Sequence, residues 1–195
     1  VADIASLRTL TLRAGGPIGD TIDYSIDISQ DARDAALSGD VYVKTFATPI
    51  PDDATGTWTF TADVRRTSVI DDGSDDGLEV TEGAFNPIYS TAVTADGAGP
   101  RREVVAMDKC NVCHDVLTLH GGQRFNVQEG LVCHRPNNSD VARRPPEEAP
   151  PESVDMRYLI HRIHTGLELV NDFTVYGFGG TPHNSNHVGY PGDRR

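Results

Sequence analysis

The chain has 195 residues, enough for one large or two small domains, and its hydrophobic fraction of 37% is low for a core built from side chains alone. A formal charge of -12 makes nucleic acid a poor partner and leaves a solvated acidic surface as the plain reading. No run approaches the length of a membrane span, so no transmembrane segment is expected, and a start at Val1 reads as processed or trimmed, so a missing leader is no argument for the cytoplasm.

Residues 1 to about 100 contain neither Cys nor His. Their hydrophobicity has period two. Ile22, Tyr24, Ile26 and Ile28 alternate with Asp23, Ser25 and Asp27; Val41 and Val43 flank Tyr42; Trp58, Phe60, Ala62 and Val64 alternate with Thr59, Thr61 and Asp63. This predicts half-buried antiparallel strands. Turn signals separate them at Gly15-Gly-Pro17, Ser38-Gly-Asp40, Pro49–Asp53 and Asp71–Gly77. Short strands at this spacing predict a small antiparallel β-sandwich or barrel. Asp31–Leu37 reads as one or two helical turns. The carboxylates of Asp71–Gly77 invite a calcium ion, but the spacing is not that of an EF-hand, and a solvated hairpin loop is the simpler reading.

Thr94–Pro100 reads as the linker between a domain over 1–100 and a second over 101–195. There the character of the chain changes. Helical spacing covers Val112–Leu119 and Met156–Leu169, joined by long loops, and the prolines between Arg143 and Pro151 exclude regular structure there.

The second domain carries the chemistry. Cys110, Cys113 and His114 form C-x-x-C-H, the attachment signature of a c-type haem. Residues three apart share a helix face, so both thiols can reach the vinyl groups of one porphyrin, and His114 then falls beneath the ring as the proximal iron ligand. Cys133-His134 repeats the second half of this signature, but Gly130 stands where the first cysteine would be. A second haem there would hang from Cys133 alone, with His134 as its proximal ligand; the other reading is that Gly130 is a misread cysteine, and a third is that no haem binds there.

All seven histidines follow residue 113. Beyond the two proximal positions, His120, His161, His164 and His187 are the candidate distal ligands, with His183 a weaker one. If the segment after His114 is helical, His120 points about 120° away and lies roughly 9 Å further along the axis, so it would serve a different haem. His161 and His164 share a helix face. Arg124, Arg135 and Arg162 suit haem propionates.

The order of these motifs resembles the outer-membrane multihaem (decahaem) c-type cytochromes of the OmcA/MtrC type. It runs Arg101-Arg-Glu-Val-Val105, C-x-x-C-H, Leu119-His-Gly-Gly-Gln-Arg124, Val132-Cys-His-Arg-Pro136, Ile160-His-Arg-Ile-His-Thr-Gly166 and His187-Val-Gly-Tyr-Pro-Gly-Asp193. The resemblance implies a Greek-key β domain followed by a multihaem domain with little regular structure. It also implies an extracellular electron conduit at the outer face of the outer membrane or secreted, with the periplasm as runner-up. Its partners would be other multihaem cytochromes, further haems of a longer chain, metal oxides or redox shuttles. An electron carrier is expected more than a substrate-specific enzyme. The chain ends where that family continues, so the second domain reads as truncated. Two other functions compete: a zinc module using Cys110, Cys113, Cys133 and His134, and a haem reductase with an open axial site.

Overall fold

The computed structural model describes residues 3–18, 26–93, 99–100, 102–103 and 105–190. Two long strands, β1 (Thr9–Ile18) and β5 (Thr57–Ile70), pair antiparallel at the centre of a five-stranded sheet. On one side β1 pairs with β2 (Ile26–Asp31). On the other, the first half of β5 pairs with β7 (Ile88–Ala92) and its second half with β6 (Leu78–Gly83). A separate hairpin joins β3 (Ala36–Ser38) and β4 (Val41–Val43). The antiparallel β fold is therefore as expected.

Several local expectations change. Gly15-Gly-Pro17 is no turn: it lies inside β1, at a register shift between Gly15 and Ile18. The reason is Trp58, whose ring sits so close to Gly16 that a Cβ there would meet it at 2.5 Å. Asp31–Leu37 is not helical, because its ends belong to β2 and β3. The strand proposed over Ile22–Tyr24 and most of the Thr94–Pro100 linker lie outside the described residues. Asp71–Gly77 is the loop between β5 and β6, where Asp71 and Asp72 accept from the backbone N–H groups of Gly73 and Ser74.

The alternation in β5 also runs otherwise than expected. Trp58 is buried, with Ala14, Ile28 and Ala54 around it, but Thr57, Thr59, Thr61 and Asp63 are buried too, while Phe60, Ala62 and Val64 are only partly so. The polar face of β5 is covered because Asn86 ties a later loop onto it. The Asn86 amide donates to the carbonyls of Ala62 and Gln123 (both 3.0 Å), and its oxygen accepts from Phe125 N–H (2.7 Å).

Among the described residues three α-helices follow: α1 (Met107–His114), α2 (Val127–Cys133) and α3 (Met156–Thr165). The first therefore starts and stops earlier than the Val112–Leu119 spacing suggests. The chain forms two compact units, Val1–Cys133 and His134–Arg195, so the division falls after the boundary expected near 100. The second unit holds α3 and a hairpin of β8 (Thr174–Tyr176) and β9 (Pro182–Asn184). Its buried residues, among those described, are Asp140, Met156, Gly166 and Phe173. Asp140 organises the loops: it accepts from Arg144 and from the N–H groups of Glu152 (2.9 Å) and Tyr176 (2.9 Å). Asp155 caps α3 through Tyr158 N–H, 3.0 Å.

Candidate functional site

α1 buries none of its residues. Cys110 is half-buried and Cys113 exposed, one turn apart, and His114 is the last helical residue and exposed. Val112 is 73% exposed, with Val116 and Leu119 also open to solvent. Isolated eight-residue helices are marginal in water and normally persist by packing a face. The three cysteines are in no disulfide. Two thiols on one helix face, a histidine after them and uncovered apolar side chains around them fit a porphyrin.

After His114 the backbone turns at Asp115, and Leu117 N–H donates to the Asn111 side chain at 2.9 Å. His120 thus lies beyond the helix, which replaces the helical geometry assumed for it. It sits at φ +53 with Gly121 and Gly122, also at positive φ, in a tight loop closed by Leu119 N–H to Arg124 O (2.8 Å). The two glycines take that region without cost, and the loop holds His120 exposed. Its closing arginine is anchored on β5: Arg124 donates to both oxygens of Asp63, at 3.2 and 3.3 Å. Arg124 is therefore engaged by Asp63 through Nε and one terminal nitrogen. Arg162 packs over Phe173 (5.3 Å) and Tyr158 (5.8 Å), again within the protein.

In the second unit three histidines share one device. Nδ1 of His134 bonds the Val154 carbonyl (2.8 Å), Nδ1 of His161 that of Arg157 (2.7 Å) and Nδ1 of His164 that of Ile160 (2.8 Å). A carbonyl only accepts, so Nδ1 carries the proton, and the neutral ring keeps its lone pair on Nε2. That is the tautomer and the second-shell contact that iron-binding histidines use. His161 and His164 stand one turn apart on α3, as expected, and the His164 ring meets Tyr190 edge-on at 5.2 Å. His183, on β9, packs on Gly177; His187 is exposed beside Val188, whose carbonyl accepts from Leu167 N–H. Residues 191–195 lie outside the described residues. Among the described residues no three His, Cys, Asp or Glu side chains converge on a metal ion, so the zinc reading has no geometric support there, nor has calcium at Asp71–Gly77.

One group of residues had no signal in the sequence. Glu129 on α2 is fully buried and faces Asp63 on β5, with Arg13 of β1 and Arg124 beside them. Arg13 donates to Asp63 at 3.1 Å, and its Nη1 lies 3.8 Å from Cys133 Sγ. Burial raises the Asp63 carboxyl, but Glu129 and the guanidiniums of Arg124 and Arg13 outweigh it and hold the group below the usual carboxylate range. Burial first, then a side-chain hydrogen bond with Asp63 and the Asp63 charge, push Glu129 up to about 9. Four charges scattered from position 13 to 129 give no periodic pattern to read.

A β-sheet unit that carries C-x-x-C-H on an uncovered helix, then a histidine-rich unit that buries little apolar surface among the described residues, is consistent with a chain that carries c-type haem. Residues 102–191 match the family model described as outer membrane cytochrome MtrC/MtrF-like, domains II/IV, in agreement with the motif order. The family is one of haem c cytochromes. No curated protein and no solved structure matches the chain. Among the described residues, no helix is long and apolar enough to cross a membrane.

Proposed function

We propose that this chain is an electron-transfer module with c-type haems ligated by histidine on both faces, part of an extracellular conduit to metal oxides, redox shuttles or partner cytochromes. The observation that carries the reading is α1, a helix that buries nothing of its own and sets Cys110, Cys113 and His114 at thioether spacing. The family match over 102–191 supports it. The haem, when bound, supplies one-electron chemistry. The chain's residues attach it, ligate it and exclude substrate: Cys110 and Cys113 hold one haem, Cys133 a second, and His114 and His134 are the proximal ligands. His120, His161, His164 and His187 supply distal ligands, here or to haems attached elsewhere, and two filled axial positions suit a carrier better than an enzyme. Residues 1–100 are, in this reading, the cofactor-free β domain with Greek-key closure, and 101–195 the cytochrome domain.

The test is an intact mass and a visible spectrum of protein matured in a host that attaches haem c. Two covalent haems with sharp low-spin α and β bands are expected. A colourless protein that retains zinc overturns the reading, and a high-spin band in every haem moves it to an enzyme with an open axial site.

A further inference from the structure

The buried group around Glu129 is the feature the electron-carrier reading leaves unused. Its charges come from every element packed there: Arg13 from β1, Asp63 from β5, Arg124 from the loop before α2, and Glu129 from α2 itself. Asp63 is fully engaged, accepting from both arginines and lying 3.4 Å from the Asn86 amide. Glu129 is not. Neither of its oxygens has a nitrogen donor within hydrogen-bond distance, although the residue is 0% exposed; the nearest guanidinium nitrogens are at 3.9 and 4.0 Å, and its carboxyl neighbour is Asp63. Natural proteins rarely leave such a group inside, so the site asks for an explanation.

The charge count supplies one. With Glu129 protonated the four side chains sum to one positive charge; with Glu129 ionised they sum to zero. Arg13 links this balance to Cys133, touching Asp63, Glu129 and the Cys133 sulfur at once. Glu129 and Cys133 are also four apart on α2 and share a helix face.

We infer that Glu129, paired with Asp63 and linked through Arg13 to Cys133, takes up a proton when an electron reaches the haem held on Cys133. The inference rests on the haem reading proposed above for Cys133. In the coupled step one electron from a donor cytochrome converts ferric to ferrous iron, and one proton from water adds to a Glu129 oxygen; no other bond forms or breaks, and reoxidation reverses both. The charge of haem plus cluster is then the same before and after. The sign is fixed by electrostatics: loss of positive charge nearby strengthens proton binding to a carboxylate. Linkage makes it reciprocal, so raising the pH through the titration of Glu129 must weaken reduction of that haem.

The experiment uses the full haem-loaded chain and its E129Q variant. Intact mass first counts haems. Redox titration from pH 6 to 10, with dithionite as reductant, then follows each haem's midpoint, and infrared difference spectra of the unmodified protein follow carboxyl bands on reduction. We expect the Cys133 haem to become up to tenfold harder to reduce per pH unit, about 59 mV for a one-electron couple. We expect E129Q to lose this dependence and the unmodified protein to gain a protonated-carboxyl band on reduction. A haem on Cys133 with a pH-independent midpoint, a dependence that survives in E129Q, or no carboxyl band each overturns the inference alone. No haem on Cys133 overturns it together with the Cys133 part of the functional reading.

Discussion

The Oε1 atom of Glu129 lies 3.9 Å from Nε of Arg13, close enough for charge to be felt and too far for a hydrogen bond, while Asp63 binds the same guanidinium at 3.1 Å. One carboxyl holds the arginine and the other only borders it. The two must therefore respond oppositely to pH.

The folded state binds the Glu129 proton more tightly than the unfolded chain does, with a pKa of about 9 against an ordinary 4.5. The stability this gives is complete below about 4.5 and is lost as the pH rises toward 9. Urea unfolding of the first unit in the full chain should show a midpoint that falls between pH 5 and pH 9, and Glu129→Gln should flatten that fall. Parallel curves for the two proteins would show Glu129 to be ionised throughout.

Asp63 behaves in the other sense, since its folded pKa lies below the ordinary value. Its contribution is present at neutral pH and disappears on acidification. Asp63→Asn removes the carboxylate that the largely enclosed Arg13 and Arg124 both bond, which costs about 3–5 kcal/mol. Circular dichroism melting should show the loss at pH 7; a change within about 0.5 kcal/mol, typical of a surface site, would contradict the engagement described.

Gly166 ends α3 at φ +43, and a Cβ there would overlap the carbonyl of Val188. Gly166→Ala should destabilise the second unit by more than about 1 kcal/mol and speed amide exchange at Leu167, whose N–H donates to Val188. His187 sits next to that contact, so the axial spectrum of any haem it serves should change in the same variant. Unchanged exchange at Leu167 would rule this out.

Replacing His161 or His164 by Ala should each convert one haem from low to high spin, because each ring presents Nε2 with its lone pair. Electron paramagnetic resonance reads the change directly. Low-spin spectra in both variants would remove α3 from the ligand set.

Gly130 has no sulfur, so a haem on Cys133 keeps one vinyl group. Its pyridine haemochrome band should lie to the red of a doubly attached haem, giving a mixed band for the chain. An unshifted band with two haems per chain would mean that a cysteine stands at 130.

Much of this was legible in the sequence and some was not, for definite reasons. Period two located β4 and β5, and Asp155 and Gly166 bracket α3 as a cap and a stop should. The same periodicity misassigned the faces of β5, because it shows that a strand has two sides but not what covers them; the cover comes from Asn86 and a loop more than fifty residues after Thr61. The span of α1 shifted because Asn111 caps it from inside through Leu117, a contact that resembles ordinary helix polarity in one dimension. C-x-x-C-H was readable because its spacing is local. The Arg13–Asp63–Glu129 group was not, because it joins three elements whose charges look like solvated surface until they meet.

Among the described residues, the second unit buries only two large apolar side chains, Met156 and Phe173. A unit with so little buried apolar surface draws little stability from its side chains alone, so on the proposed reading bound haem would supply part of the apolar contact that holds its shape.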